Sequence, residues 1–299
     1  MLRRPATVAA SALDELARLR AEVDRIDDAV IDLLLERMAV VRRIGALKAT
    51  DAAATPGMAL RPAREAEIIR RLAARAAPDL PAPAVTRMWR ELLAATTRLQ
   101  TPFAVAVLAD PATPHVWALA RDHFGALTPL VPVETAHHGF RLIGAGETEL
   151  LVLPAPDDDS YWWQRVALTL LDSPLRIVSR LPFCAVPSVD GGDSSPAALV
   201  LGALPIEASG ADLTMLAIET DLELSRARLC DLIAAGGVEL VSLATLRDLQ
   251  PETAFHLVEV DGMAEPALAG LHHALAPLRD RLLRLDVLGS YPQPLDAGS

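Results

Sequence analysis

"LARLRAEVDRIDDAVIDLLLERMAVVRRIGALKA", residues 16–49, decides how the chain is read. Its apolar residues Leu16, Leu19, Val23, Ile26, Val30, Leu33, Val40, Ile44 and Leu47 mostly recur every three or four positions, which is the stripe of one helix face. No Gly or Pro interrupts the run before Gly45. At about 1.5 Å per residue, the spacing predicts a helix roughly 50 Å long. Such a helix outreaches a small domain, so the stripe calls for a second long helix alongside it, from a second subunit.

The pattern breaks at "TDAAATPGMALRP", which holds Pro56, Gly57 and Pro62. A shorter helix is expected from about Pro62 to Ala77, then a turn at "PDLPAP", then a third helix from about Ala84 to Gln100. Residues 101–210 change character. The short apolar runs "FAVAVL", "LTPLVPV", "ELLVLPA" and "LRIVSRL" alternate with helical or turn-like stretches, which predicts an α/β layer. "VPSVDGGDSSPAAL" reads as a loop. Residues 213–292 read strand, helix, strand, strand, helix, strand, a ferredoxin-like βαββαβ order.

Composition narrows the function. The chain has 299 residues, enough for two or three domains, and 52% hydrophobic with 22% charged residues marks a globular protein. No apolar run reaches the roughly 18–20 residues of a membrane span, and the first residues do not read as a signal peptide. Cys184 and Cys230 lack metal-ligand spacing and read as thiols in a reducing cytoplasm. Residues 1–100 hold 17 Lys+Arg against 13 Asp+Glu, whereas residues 101–299 hold 11 against 26. An acidic chain with one locally basic segment is no nucleic-acid binder. It needs positive charge for something small and anionic in its first third.

The 28 basic residues are 27 arginines and Lys48. Arg37 falls where the stripe calls for an apolar residue, and Lys48 follows eleven residues later. Eleven residues make three turns plus about 20°, so both cations share one helix face and require an anionic answer, from the protein or from a ligand. Arg20 lies roughly 100° around the helix from Arg37 and could serve a pocket shared with a partner chain. Arg25, Arg42, Arg43, Arg70 and Arg71 read as solvated or paired arginines. The pairs His137–His138 and His272–His273 read as surface residues without a metal, and "YWW" (161–163) as packing.

The stretch quoted first, together with "RPAREAEIIRRL" and "VTRMWRELLAATTRLQ", resembles the AroQ-type (class II) chorismate mutases over residues 13–100. The resemblance implies an all-α domain of three helices (residues 1–100), an intertwined homodimer with sites shared across chains, chorismate as substrate and prephenate as product, with no cofactor and no metal. Carried over residue by residue, Arg20 would reach a substrate carboxylate from the partner subunit and Arg37 would bind one within its own chain. Lys48 would donate to the ether oxygen and a carboxylate. Glu65, after Arg64, would take the substrate hydroxyl, and Gln100 would donate to the ether oxygen. Thr96 stands where the family often has a small hydroxyl residue. The implied catalytic set is therefore Arg37, Lys48, Glu65 and Gln100, and the substrate-binding set adds Arg20, Arg64 and Thr96. A [3,3] rearrangement needs no nucleophile; it needs a held conformer and charge to meet the breaking C–O bond. Arginine forks suit carboxylates and a compact ammonium suits a single ether oxygen.

The end "LRLDVLGSYP" resembles the close of a prephenate dehydratase, where a regulatory ACT domain ends on LGSYP. Residues 101–185 resemble the first lobe of that enzyme. The implied layout is a truncated dehydratase-like α/β region (101–210) and an ACT-like domain (211–299) to which an amino-acid effector could bind. The departures argue against dehydratase activity. "LADPATPH" lacks the family's GP-x-GTFS loop, no TRF occurs, and about 30 residues stand where a second lobe needs roughly 90. "ELSR" and "ATLRD" stand in the places of the phenylalanine-sensing GAL and ESRP motifs. Two alternatives stay open: a bifunctional mutase and dehydratase, and a non-catalytic regulatory subunit that binds another enzyme of the pathway.

Overall fold

The computed structural model describes residues 6–50, 59–184, 196–246, 253–276 and 281–296, and within the first helix the side chains of residues 13–47. The chain divides into two compact units, Met1–Pro56 and Gly57–Ser299.

The first unit is helix α1, Ala6–Thr50, 45 residues and so about 68 Å long. It runs beyond the expected stretch at its N-terminal end, because nothing between Ala6 and the stripe breaks a helix. The residues of its apolar stripe are exposed, among them Leu19 at 47%, Val23 at 55% and Leu33 at 65%, whereas Leu34, Met38 and Val41 are half-buried.

The second unit opens with α2 (Pro62–Ala76) and α3 (Ala82–Gln100). Pro62 starts α2, where a missing N–H costs nothing, and Glu65 in its first turn favours the dipole. The third helix begins two residues earlier than expected because Pro83 also fits a first turn.

A mixed sheet follows, with β1 (Val105–Leu108), β2 (Leu130–Val133), β3 (Leu150–Pro154), β4 (Arg176–Leu181) and β5 (Ala198–Gly202). Its order is β2-β1-β3-β5-β4. Strands β1, β2 and β3 are parallel, linked by α4 (His115–Phe124) and α5 (Ala136–Gly144), and α6 (Trp163–Leu171) leads into β4. Strand β5 corrects the sequence reading. Ala198 and Leu199, expected in a loop, lie in a strand inserted antiparallel between β3 and β4. It is buried at every position, so it shows no alternation, and a Gly/Ser/Pro-rich stretch precedes it. Residues 185–195 of that stretch lie outside the described residues.

The last region has the expected βαββαβ order: β6 (Asp212–Asp221), α7 (Arg226–Ala235), β7 (Leu240–Leu246), β8 (Thr253–Asp261), α8 (Ala264–Leu275) and β9 (Leu282–Pro292). Its antiparallel sheet runs β7-β8-β6-β9. Helices α7 and α8 cover one face through Leu229, Ile233 and Leu271. The other face joins the first sheet in one core that includes Leu199, Leu201, Trp163, Met215, Phe255 and Leu288. The core is thus continuous across position 210.

The seam between the sheets explains part of LGSYP. A Cβ on Gly289 would overlap the backbone of Ile177, so only glycine lets β9 lie this close to β4. Two residues on, the Tyr291 hydroxyl donates to the fully buried Glu259 carboxylate at 2.7 Å. Arg180 of β4 reaches both Glu259 oxygens, at 3.0 and 2.9 Å, and Ser242 donates to one at 3.0 Å. Burial and the Glu259 charge hold the Tyr291 phenol well above its ordinary value, so it stays a donor.

Helix α3 is seated on α4. Arg87 pairs with Asp122 at 2.5 Å, and Glu91 accepts from the Ala126 N–H at 3.0 Å. Between them His123 is buried, edge-on to Phe124 at 4.7 Å. Desolvation, and then the Arg90 charge, push its pKa well below the ordinary value. The folded chain therefore keeps His123 neutral while the unfolded chain protonates it below about pH 6.5. Unfolding free energy should fall as pH drops below that point, by up to about 1.4 kcal/mol per pH unit for this group. In His123→Gln, urea unfolding between pH 6.5 and pH 5 should show a slope against pH shallower by up to one proton. Equal slopes in both proteins would contradict this.

Candidate active site

The expected site residues fall on three helices. Arg20 and Arg37 lie on α1, where Arg20 is exposed and Arg37 half-buried. Arg37 Nη1 is buried without a hydrogen-bond partner among the described residues, and desolvation lowers the pKa of the guanidinium. A buried donor in that state is a standing demand for an acceptor. Lys48 lies in the last turn of α1, and its side chain is outside the described residues.

On α2, Arg64 is exposed and pairs with Glu67 at 2.8 Å. Glu65 turns inward. Its Oε2 accepts from Arg90 Nη1 of α3 at 2.7 Å, and the two residues are only 7% and 5% exposed. Burial pushes the Glu65 carboxyl up, and the Arg90 charge pulls it part of the way back. Around the pair pack Ala66, Ile69, Leu93 and Phe183, with the Arg90 guanidinium 5.0 Å from the centre of the Phe183 ring. Phe183 follows β4 and belongs to the α/β region, as does His123.

On α3, Thr96 is buried and its hydroxyl donates back to the Leu93 carbonyl at 2.9 Å. Gln100, half-buried one turn later, has its Nε2 at 3.4 Å from the Thr96 carbonyl. Thr96 and Gln100 therefore share one side of α3. Gln100 lies about 80° around the helix from Arg90, since ten residues make two turns and about 280°. The described contacts thus bring together Glu65 with Arg90, and Thr96 with Gln100.

Arg90 was missed by the sequence reading, although the signal was there. It interrupts the stripe Thr86, Leu93, Thr97 on the buried face of α3, as Arg37 interrupts the stripe of α1. Arg70 was misread. It is half-buried and donates to the carbonyls of Ser209, Ala211 and Gln293 at 3.0, 2.7 and 2.7 Å. Arg61 pairs with Glu207. These bonds tie α2 to the segment between β5 and β6 and to the end of β9. Arg25, Arg42, Arg43 and Arg71 are exposed as expected.

The other candidates lie elsewhere. His137, His272 and His273 are exposed and His138 is half-exposed. Among the described residues no group of three or more His, Cys, Asp or Glu could hold a metal, and no helix is long and apolar enough to cross a membrane. Trp163 is a core residue whose indole N–H donates to the Pro154 carbonyl at 3.0 Å, with Trp162 stacked on it. A cavity of about 460 Å³ lies between residues 156–159, Arg226 and β7, and holds none of the expected site residues.

Residues 19–101 match the family model described as chorismate mutase type II, and that segment contains all seven expected site residues. A bifunctional chorismate mutase/prephenate dehydratase of Stutzerimonas stutzeri is 28% identical over 145 residues, covering 48% of this chain and 40% of that protein. The protein of the same description in Pseudomonas aeruginosa is 28% identical over 142 residues, covering 47% and 39%. The chain thus spans about two fifths of the length of the curated relatives it matches. Among solved structures, a prephenate dehydratase from Streptococcus mutans covers 64% of this chain and 100% of its own, at 13% identity and a TM-score of 0.45. Residues 19–101, a little over a quarter of the chain, thus resemble the chorismate mutase type II family.

Proposed function

We propose that the chain is a chorismate mutase, which rearranges chorismate to prephenate without cofactor or metal. The observation that carries this reading is the complete charged and polar set within the family-matched segment: Arg20, Arg37, Lys48, Arg64, Glu65, Thr96 and Gln100. Arg20 and Arg37 take the two carboxylates, for which their planar forks are shaped. Lys48 and Gln100 meet the ether oxygen, where negative charge grows as the C–O bond breaks. Glu65 accepts the substrate hydroxyl. Thr96 and Arg64 are the remaining members of the substrate-binding set. The buried, unpartnered Nη1 of Arg37 supports its assignment to an anion.

The active form is a homodimer with Arg20 contributed across chains. The exposed apolar stripe of α1 supports this, since water is a poor neighbour for a row of Leu, Ile and Val. The domains are the mutase (1–100), a truncated dehydratase-like region (101–210) and an ACT-like domain (211–299) open to an amino-acid effector. The enzyme works in the cytoplasm, in keeping with its free thiols Cys184 and Cys230. It has no dehydratase activity, because the TRF and GP-x-GTFS motifs are absent from the sequence. A bifunctional enzyme is the second reading, favoured by the description of the relatives.

Supplying the purified chain with chorismate and following chorismate, prephenate and phenylpyruvate separates the readings. Prephenate should accumulate. Phenylpyruvate would establish the second reading, and no turnover would contradict both. Lys48→Ala should lower kcat by at least about a hundredfold, the worth of one directed donor, with the dimer intact. Near-normal turnover in that variant would refute the role of Lys48.

A further inference from the structure

We infer that Arg90 is a positioning residue for Glu65, and that the α/β region holds Arg90 in that role through Phe183. The inference rests on the mutase reading above. Its geometry is a guanidinium with one face over the Phe183 ring at 5.0 Å and one nitrogen 2.7 Å from Glu65 Oε2. Both partners are almost fully buried, so neither has room to swing away.

The chemistry follows from what Glu65 has to do. A substrate hydroxyl needs an acceptor, and a carboxyl buried alone takes up a proton and offers a donor instead. Arg90, with one nitrogen 2.7 Å from the carboxylate, opposes that proton uptake. It also occupies one carboxylate oxygen only. Among the described residues Oε1 accepts no hydrogen bond, which leaves it for a ligand. A glutamate side chain has three rotatable bonds, and a fixed partner on Oε2 removes the freedom that would blur where Oε1 points.

Phe183 lies outside the family-matched segment, which ends at residue 101. Phe183 offers the ring face that a guanidinium prefers. The α/β region thus has a task in the mutase reaction that needs no dehydratase chemistry.

The test is steady-state kinetics with chorismate on the full chain, in Arg90→Met, Glu65→Gln and the double variant. A lost contact to a group away from the reacting bond weakens ground and transition states alike, so Arg90→Met should raise KM about tenfold or more with kcat within about threefold. Because Arg90 acts through Glu65, adding Arg90→Met to Glu65→Gln should change KM by less than about twofold. Arg90→Lys, which keeps the charge, should recover part of the loss. Removing one partner of a buried pair costs stability, so thermal unfolding is followed for each variant. If Arg90→Met does not fold, the same comparison runs on Arg90→Lys and its Glu65→Gln double, which bury no unpaired carboxylate. An unchanged KM in a folded Arg90 variant, or additive effects of the two substitutions, would overturn the inference while the mutase reading stands. No turnover by the unsubstituted chain would overturn both.

Discussion

The salt bridge between Arg90 and Glu65 is the constraint on which the second unit turns. Two charges in a dry setting are costly, and such a pair survives only when geometry and packing are both tight. Here the geometry is a 2.7 Å contact and the packing is Ile69, Leu93 and Phe183. Once Arg90 is seated on Phe183, α3 has one register against α4, where the Arg87–Asp122 and Glu91–Ala126 contacts follow. Helix α2 is held from its far side, through Arg61 to Glu207 and Arg70 to three carbonyls. The two shorter helices of the family-matched segment are built into the α/β body.

That body is one piece for a related reason. Gly289 lets β9 approach β4, and Arg180, Tyr291 and Ser242 satisfy a carboxylate, Glu259, that has no access to water. Breaking any one of these leaves a buried charge under-bonded, which keeps the sheets in register. The LGSYP string therefore has a mechanical meaning in this chain: a close-approach glycine and a tyrosine that donates to a buried acid.

The sequence was most readable where one rule governs a long stretch. Helix α1 followed from an uninterrupted three-four stripe, and the βαββαβ order from strands bounded by clear turns. Reading failed where burial is complete. Strand β5 shows no alternation because both its faces are covered, so its apolar run gave no period to detect. Arg70 looks like a surface arginine in a helix, whereas Arg90 interrupts a stripe, and for both only the fold supplies the carbonyls, carboxylate and ring that receive them. Arg64, Glu65, Thr96 and Gln100 were expected on the second and third helices, and they lie there. The partner of Glu65 was not, because it comes from 25 residues away and is held by residues further still.

If the Arg90–Glu65 pair binds α2 and α3 to the α/β body, those helices must unfold with it. Native-state amide hydrogen exchange at rising denaturant, read along the full chain, measures this directly. The account predicts that the amides of Ile69, Arg90 and Leu93 open in the same transition as those of β4 and β9. If those helical amides exchange at lower denaturant together with α1, while both sheets stay closed, the account is contradicted.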